Sequence, residues 1–341
     1  MPEQLLQVSN LRTHFYTSRG MIKAVDGVSF RLDETSTLGL AGESGSGKTT
    51  VAFSILRLIP HSSRVSGSLT RKTLSRGEIV EGEVLFRGRD LLRLSEEEIR
   101  RVRGREISMI FQNPISSLHP MEIIGRQVGE ALEAHEQAKR EKIKELVFEH
   151  LGKVDLKDTK HRYNHMPHMF SGGEGQRIMI AMALICGPSL LIADEPTKSL
   201  DVTVQRQVLR LLNEMKKEVG LSMLLITHNL SIIAELSDYV GIMYAGKIVE
   251  YGDVISIYKG PQHPYTRALL DATPTIHGAK RKLRGLKGDP PNPLVPIQGC
   301  KFHPRCRYAT QDCRTQEPPL MEIHSTHKVA CLRVHKLPEW R

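Results

Sequence analysis

The chain has 341 residues, of which 40% are hydrophobic and 25% are charged. This length and balance predict a folded protein of about two domains, and they exclude a disordered chain, a collagen, a coiled coil and a small disulfide scaffold. The net charge is +10, but residues 261–341 hold 14 Lys/Arg and 6 Asp/Glu, so +8 of it lies there and needs a local explanation.

The first 260 residues are predicted to alternate between strands and helices. In chain order, we expect strands at residues 25–32 and 36–41, a helix at 48–58, a strand at 79–87, helices at 123–154 and 178–184, and strands at 190–193 and 223–226. The last two strands are continuously apolar, which is typical of central strands that helices bury on both faces. The alternation predicts an α/β fold with a mainly parallel sheet.

No apolar run is long enough to cross a membrane, because the longest, residues 178–193, is interrupted by Gly187 and Pro188. The first ten residues contain no basic stretch followed by an apolar one, so we expect no signal peptide. These features predict a cytoplasmic chain.

Residues 261–341 differ in composition from the rest. They hold 11 of the 18 prolines and four of the five cysteines. Since proline interrupts helices and central strands, we expect an irregular C-terminal extension. The predicted organisation is one domain over residues 1–260 and an extension over residues 261–341.

The strongest motif is a glycine-rich loop between the strand at 36–41 and the helix that follows it. Its sequence, GESGSGKT at residues 42–49, fits the phosphate-binding pattern G-x-x-x-x-G-K-[ST]. Backbone N–H groups of such a loop surround phosphate oxygens, Lys48 is placed for the β- and γ-phosphates, and the Thr49 hydroxyl for Mg²⁺. A glycine turn with a lysine nearby by chance is the alternative. The candidate nucleotide-binding residues are Gly42, Ser44, Gly45, Ser46, Gly47, Lys48, Thr49 and Thr50.

Two carboxylates follow the apolar strand at 190–193. Ligands of open α/β sheets bind at the carboxyl ends of the strands. Asp194 is therefore a candidate for holding Mg²⁺, and Glu195 for polarising the attacking water. A helix cap is the alternative interpretation of this acidic pair.

The segment FSGGEGQR at residues 170–177 resembles LSGGQ, the signature motif of ATP-binding cassette (ABC) ATPases. Gln112, within FQNP, matches the Q-loop of this family, Asp201 the D-loop and His228 the switch histidine. The resemblance implies an ABC-type fold with a RecA-like parallel-sheet core, an antiparallel β subdomain and a helical subdomain at about residues 121–168.

Further site residues follow from this resemblance. Phe15 falls where the family places an aromatic ring under adenine, although a buried core phenylalanine is nearly as good an interpretation. Gln112 would sense Mg²⁺ and the attacking water, Asp201 would reach across a dimer, and His228 would contact the γ-phosphate and orient Glu195. In this family the signature motif completes the ATP site of the partner subunit, a role that falls here to Ser171, Gly172, Gly173 and Gln176.

Three positions depart from the family pattern. Phe170 replaces a leucine in the signature motif, Glu174-Gly175 replaces a Met/Gln-Arg pair, and Asn229 replaces the aspartate after the switch histidine. The first two would weaken the ATP site that this chain completes on its partner. Because the core catalytic groups of its own site are present, we expect an active ATPase.

The resemblance extends to one branch of the superfamily. The segments FQNPISSLHP, LLIADEPT, HPYTRALL and CKFHPRC are similar to the ATPase subunits of oligopeptide, dipeptide and nickel importers. This implies ATP hydrolysis that energises uptake of di- or oligopeptides, with nickel or an oligosaccharide as alternative solutes. A soluble ABC ATPase acting on ribosomes or DNA is disfavoured by the single phosphate loop, and a metal-cluster regulatory protein with a vestigial ATPase by the intact Lys48, Glu195 and His228.

The importer resemblance also implies partners. They are a homologous ATPase in a heterodimer, with a homodimer as the alternative, two membrane permease subunits that dock on the helical subdomain, and an extracytoplasmic solute-binding protein. No nucleic acid is expected. The chain would then lie peripherally on the cytoplasmic face of the membrane.

Four cysteines of the extension have the spacing C-x5-C-x6-C-x17-C: Cys300, Cys306, Cys313 and Cys331. A cytoplasmic location disfavours disulfides, and sets of four cysteines hold zinc or an iron–sulfur cluster. Structural zinc sites usually have C-x2–4-C pairs, which are absent here. Similar dipeptide-importer ATPases carry a [4Fe–4S] cluster at this spacing, which implies one here; zinc or another metal and free thiols are the alternatives. Four cations nearby would offset the negative charge of a cluster: Lys301, Arg305, Arg307 and Arg314.

Two smaller features remain. Cys186, in an apolar stretch, is predicted to be a buried core thiol. The basic run HGAKRKLRGLK at residues 277–287 is predicted to be a solvated linker, with contact to anionic lipid or nucleic acid as the alternative.

Overall fold

The computed structural model describes residues 3–60, 76–135, 139–273, 285–324 and 326–339. The chain divides into two compact units. Unit 1 consists of Met1–Glu3, Leu32–Thr37 and Arg93–Ile226, and unit 2 consists of Gln4–Arg31, Leu38–Leu92 and Thr227–Arg341. Apart from residues 285–287, the predicted basic linker lies outside the described residues.

The strands are β1 (Gln4–Thr17), β2 (Gly20–Asp33), β3 (Thr37–Ala41), β4 (Arg76–Phe86), β5 (Arg89–Asp90), β6 (Ile107–Ile110), β7 (Leu190–Asp194), β8 (Ser222–Thr227), β9 (Tyr239–Tyr244), β10 (Lys247–Asp253), β11 (Met321–His324) and β12 (His327–Val329). The α-helices are α1 (Lys48–Ile55), α2 (Glu96–Val102), α3 (Pro114–Ser117), α4 (Ile124–Ala134), α5 (Arg140–Lys153), α6 (Thr159–Arg162), α7 (Gly172–Leu184), α8 (Val202–Val219), α9 (Leu230–Leu236), α10 (Val254–Lys259), α11 (Pro264–Asp271) and α12 (Gln311–Thr315).

Parallel strands form the centre of unit 1. β6 pairs with β7 in the register Ile107↔Leu190, and β7 pairs with β8 in the register Leu190↔Ser222. Every residue of β6 and β7 is buried, which explains why these strands are largely apolar and do not alternate between apolar and polar residues. Because the strands are parallel, the segments that follow β6 and β7 leave the sheet at the same edge.

Helices α4 and α5 form the helical part of unit 1. They pack against each other and against α7. The apolar positions that predict a helix over residues 123–154 are confirmed as buried: Val128, Leu132, Ile143, Val147 and Leu151. The predicted helical stretch is divided into two helices, because α4 ends at Ala134 and α5 begins at Arg140.

Unit 2 contains an antiparallel sheet in the order β2-β1-β4-β5. A bulge interrupts the β1–β4 pairing between Ser9 and Arg12, where Asn10 adopts a left-handed backbone with φ 46°. The bulge lies opposite Gly82, whose own φ of 118° favours glycine. β3 pairs in parallel with β9, and β9 forms an antiparallel hairpin with β10.

The C-terminal extension is attached to β10. It consists largely of turns and short helices, but β12 pairs with β10 and β11 pairs with β12. The carboxylate of Glu250 on β10 is fully buried and accepts hydrogen bonds from the backbone N–H groups of Gln262 (2.6 Å) and His263 (3.0 Å) and from Nε2 of His327 (2.8 Å). One buried carboxylate therefore fixes both the start and the end of the extension.

Among the described residues, we find no helix with the length and apolar character needed to cross a membrane.

Candidate functional site

The phosphate loop begins where the buried strand β3 ends. Gly42 has φ 151°, and a Cβ there would lie 2.2 Å from the carbonyl oxygen of Met243. Gly47 has φ 105°, and a Cβ there would lie 2.2 Å from the carbonyl oxygen of Ala24. Both positions require glycine, because neither the backbone angle nor the available space admits a side chain. The loop is thus tightly fixed at both ends, as a preformed phosphate cradle requires.

Lys48, the first residue of α1, folds back over this loop. Its buried ammonium donates hydrogen bonds to the carbonyl oxygens of Gly42 (2.8 Å) and Glu43 (3.0 Å) and to Oγ of Ser46 (3.2 Å). Phosphate oxygens are charged and form stronger hydrogen bonds with an ammonium than neutral carbonyl groups do. The remaining candidates differ in exposure: Ser44, Gly45 and Thr49 are exposed, and Thr50 is half-buried.

The helix after the loop is shorter than predicted. α1 ends at Ile55 instead of about residue 58, because Arg57 adopts a left-handed backbone with φ 52°. Phe15 lies on β1, directly opposite Gly77 of β4, and is half-buried. A half-buried ring keeps part of its surface available for stacking.

In unit 1, Asp194 is the last residue of β7 and is 2% exposed. Glu195 follows it with a left-handed backbone (φ 49°) and donates its N–H to the carbonyl oxygen of Ile226 (2.8 Å). Backbone strain in a non-glycine residue is concentrated at functional sites. Gln112 lies two residues beyond β6 and is half-buried. The structure thus places these three polar side chains at or just beyond the carboxyl ends of two parallel strands, β6 and β7, of the same unit.

The signature motif forms the N-terminus of α7. Ser171 is the N-cap, and its hydroxyl accepts the N–H of Glu174 (3.3 Å), while the Glu174 carboxylate accepts the N–H of Ser171 (3.0 Å). Ser171 and Gly172 are exposed, Gly173 is half-buried, and Gln176 is only 2% exposed. Free N–H groups of a helix N-terminus attract anions, so the exposed end of α7 has the chemistry of a second phosphate site.

Two departures from the signature pattern have structural reasons. Glu174 completes a capping box with Ser171, and it forms an ion pair with Arg162. Desolvation raises the pKa of Glu174, but the hydrogen bonds from Ser171 and the Arg162 charge outweigh it and lower the pKa overall. Phe170 is buried against His165, with the Arg162 guanidinium over its ring at 5.6 Å from the centroid. Arg162 therefore neutralises the carboxylate that this motif contains.

The D-loop and switch positions both lie next to helix N-termini. The Asp201 carboxylate caps α8 by accepting the N–H groups of Thr203 and Val204, each at 3.0 Å. His228 follows β8 and is exposed. Asn229 caps α9 by accepting the N–H of Ser231 (3.0 Å), which explains why an asparagine serves at this position.

The four cysteines of the extension line one small cavity together with His263, Phe302 and Tyr308. None of them forms a disulfide. The N–H of Cys300 donates to the carbonyl oxygen of Cys313 (2.9 Å), and the N–H of Arg333 donates to Sγ of Cys331 (3.4 Å). Residues separated by up to 31 positions in the sequence therefore meet around one space.

Burial disfavours the charged thiolate form of three of these cysteines. Burial raises the pKa of the Cys300 and Cys331 thiols to about 11, and it raises the pKa of Cys306 as well. Across the described ranges, no three His, Cys, Asp or Glu side chains are close enough to hold a single metal ion.

Cys186, outside the extension, is half-buried instead of fully buried, and burial raises the pKa of its thiol to about 11.

The extension contacts the phosphate loop and β2 through two ion pairs that the sequence did not indicate. Arg305 forms a bidentate ion pair with Glu43, and Lys301 forms an ion pair with Asp26 at 2.8 Å. Both cations were expected to offset the charge of a cluster, but carboxylates of distant segments bind them instead. No local sequence signal could have revealed these pairs, because more than 260 positions separate the partners.

Family models match the sequence in two places. The model described as ABC transporter matches residues 25–198. The chain belongs to the ATP-binding subunits of the ABC transporter family. A second model, described as the C-terminal region of oligopeptide/dipeptide transporters, matches residues 249–313 of this ABC subunit and includes Cys300, Cys306 and Cys313. The expected ABC family and its peptide-importer branch are therefore confirmed.

Curated relatives of this ABC subunit match it over nearly its full length. A probable peptide ABC transporter ATP-binding protein, y4tR of Sinorhizobium fredii, is 44% identical over 98% of this chain and 96% of its own length. The oligopeptide transport ATP-binding protein OppD of Bacillus subtilis is 42% identical over 97% of this chain and 89% of its own length. The dipeptide transport ATP-binding protein DppD of the same organism is 41% identical over 96% of this chain and 94% of its own length.

Solved structures confirm the predicted fold class. The ATP-binding cassette MJ0796, solved as a dimer in a post-hydrolysis state with ADP and Pi, has a TM-score of 0.62 and 23% identity, covering 73% of this chain and 99% of its own. The cbiO1 protein of Clostridium perfringens has a TM-score of 0.59 at 23% identity, covering 75% of this chain and 91% of its own. The ABC subunit thus has the ABC cassette fold.

Proposed function

We propose that this chain is the ATP-hydrolysing subunit of an ABC importer for di- or oligopeptides. The observation that carries the proposal is its identity of 41–44%, over 96–98% of the chain, to proteins named as peptide transport ATP-binding proteins. The phosphate loop, with glycines at its two tightly packed ends and Lys48 folded back over it, supports the ATP-binding part of this function. The match to the C-terminal region of oligopeptide/dipeptide transporters supports a peptide as the solute.

Each site residue has a proposed role. Lys48 and the N–H groups of residues 42–50 bind the phosphates, with Phe15 against the adenine ring. Thr49, Gln112 and Asp194 are the proposed Mg²⁺ ligands, directly or through water. Glu195 acts as general base toward the attacking water, and His228 contacts the γ-phosphate. The strained backbone of Glu195 supports its catalytic assignment.

The proposed partners follow from the signature motif. The exposed N-terminus of α7, at Ser171 and Gly172, offers N–H groups to an anion that lies outside this chain. A second ATPase subunit would supply that anion as the γ-phosphate of its own nucleotide, with Asp201 near the dimer contact. We propose a heterodimer with a homologous ATPase, two membrane permeases and a solute-binding protein, and a peripheral position on the cytoplasmic face of the membrane.

Uptake of a labelled dipeptide and of a labelled pentapeptide tests this function. The assay compares cells that lack the gene with cells that carry the unmodified gene or Lys48→Ala. The unmodified gene is expected to restore uptake of at least one peptide, and Lys48→Ala is expected to restore neither. Restoration of uptake by Lys48→Ala, or peptide uptake that does not depend on the gene, would contradict the proposal.

We further propose that Cys300, Cys306, Cys313 and Cys331 hold a [4Fe–4S] cluster. Their convergence on one cavity supports this proposal, as does the backbone N–H that Arg333 donates to the sulfur of Cys331. No three His, Cys, Asp or Glu side chains of the described residues are placed to hold a single metal ion, which argues against a zinc site at these thiols. When bound, the cluster would cross-link the segments that carry the four thiols.

Iron and acid-labile sulfide in anaerobically purified protein test this second proposal. About four of each per chain are expected in the unmodified protein. Cys313→Ser should lose most of both, while Cys186→Ser, the matched control outside the extension, should keep both. Zinc in place of iron, or equal iron in the two variants, would refute the cluster.

A further inference from the structure

The phosphate loop contains a carboxylate that opposes its proposed function. Glu43 is the second residue of GESGSGKT. Nucleotide phosphates carry several negative charges, and a carboxylate in the loop that binds them repels them unless another charge compensates it. The chain must therefore neutralise Glu43 or lose affinity for ATP.

Arg305 of the extension supplies this neutralisation. Its Nη1 lies 2.6 Å from Oε2 of Glu43, and its Nη2 lies 3.0 Å from Oε1. The side chain of Arg305 is 6% exposed and that of Glu43 is 25% exposed, so solvent screens the pair only weakly. A bidentate arginine–carboxylate pair fixes the orientation of both groups as well as balancing their charges.

Surrounding contacts hold both partners in place. The Arg305 guanidinium lies over the Tyr244 ring, 5.8 Å from its centroid, and its Nε donates to the carbonyl oxygen of Lys287 at 3.1 Å. The backbone N–H of Glu43 donates to the hydroxyl of Tyr265 on α11, at 2.9 Å. Residues after position 260 therefore bind both the side chain and the peptide group of this one loop residue.

The same segment is also linked, through hydrogen bonds to neighbouring residues, to the end of the loop at Gly47. Lys301 donates to the carbonyl oxygen of Ala245 (2.9 Å) and to Asp26 (2.8 Å). Asp26 donates its N–H to Gly246, which lies next to Gly47. Two cations within five residues of the extension thus support the loop at its start and at its end.

We propose that Arg305 is a positioning residue for ATP: it neutralises Glu43 and fixes the phosphate loop, so that affinity for ATP depends on the C-terminal extension. This inference rests on the proposed ATPase function and adds to it a requirement outside the cassette motifs. Removing the Arg305 charge leaves an uncompensated carboxylate in the loop. Removing the Glu43 charge as well relieves the repulsion.

The test is the dissociation constant for ATP, measured by calorimetry on the full chain at low and at high salt. Arg305→Met is expected to weaken binding by about 5- to 50-fold, a typical range for coupling between sites, and by less at high salt. Arg305→Lys should have an affinity between those of Arg305→Met and the unmodified chain, because lysine keeps the charge but loses the bidentate geometry.

Glu43→Gln should tighten ATP binding, and Glu43→Gln combined with Arg305→Met should recover most of the affinity that Arg305→Met loses. Lys336→Met, which removes an exposed cation of the same extension, should bind ATP like the unmodified chain.

Kinetics separate positioning from catalysis. Arg305→Met is expected to raise KM for ATP while kcat at saturating ATP changes little. Equal affinity of Arg305→Met and the unmodified chain would overturn the inference. A double variant as weak as Arg305→Met alone would also overturn it, because general damage to the fold would then explain the loss. Absence of ATP binding by the unmodified chain would refute the proposed function itself.

Discussion

Replacing Asp26 by asparagine is predicted to loosen the attachment of the C-terminal extension. Asp26 lies on β2, is 5% exposed and receives three cations: Arg12 at 2.5 Å, Lys301 at 2.8 Å and Lys247 at 3.6 Å. Burial alone would raise the pKa of Asp26, but the hydrogen bond and charge of Lys301, together with Lys247 and Arg12, lower it from 3.8 to about 2. The ionised carboxylate is therefore strongly favoured in the folded chain.

The magnitude of the effect follows from this pKa. A change from 3.8 to about 2 corresponds to about 2.4 kcal/mol in favour of the ionised form. Asparagine keeps the shape of the side chain and removes the charge, so Asp26→Asn should lower the free energy of unfolding by about 2 kcal/mol at pH 7. Because the folded pKa is depressed, this stabilisation is fully present above about pH 4 and is lost as the pH falls toward 2.

Urea unfolding followed by circular dichroism measures this difference. The gap between Asp26→Asn and the unmodified chain should stay constant from pH 8 to pH 5 and shrink below pH 4. Asp33→Asn, at the end of the same strand, is the matched control and should change the free energy of unfolding by less than about 0.5 kcal/mol. A gap that is absent at pH 7, or equal in the control, would refute the assigned charge network.

Two further substitutions test the anion-binding elements. Gly47→Ala should weaken ATP binding by at least about tenfold, because the backbone there has φ 105° and a Cβ would lie 2.2 Å from the Ala24 carbonyl oxygen. Calorimetry on the folded variant measures its affinity for ATP, and an unchanged affinity would contradict the described loop. Arg162→Met should leave the Glu174 carboxylate of the signature motif uncompensated. The substitution should weaken the ATP-dependent association of subunits more at low salt than at high salt. Sedimentation at both salt concentrations measures this association, and an association that does not depend on salt would count against neutralisation of Glu174 by Arg162.

Local patterns in the sequence predicted the fold well where structure is local. The phosphate loop follows from glycines that need left-handed backbone angles, and β7 follows from a short apolar run between turns. The cap at Ser171 could also have been predicted, since S-x-x-E before an apolar stretch is the pattern of a capping box. β1 was missed because its bulge at Asn10 breaks the alternation that indicates a strand.

Contacts between distant segments could not be predicted in this way. Glu43 and Arg305 lie 262 positions apart, and neither the phosphate-loop motif nor the cysteine-rich segment indicates that these two side chains pair. The irregular composition of the extension also concealed β12, which pairs with β10 over the two positions Glu250↔Val329 and Tyr251↔Lys328. Pairing of so few residues depends on the buried Glu250–His327 contact and leaves almost no periodic signal.

The most direct test of the account is ATP hydrolysis by the purified chain, compared with Glu195→Gln in the presence of Mg²⁺. Glu195→Gln is expected to bind ATP about as tightly as the unmodified chain but to hydrolyse it roughly 10²- to 10⁴-fold more slowly, the usual contribution of a general base. Hydrolysis at an unchanged rate by Glu195→Gln would contradict the central claim that the carboxylate after β7 activates water at the ATP site.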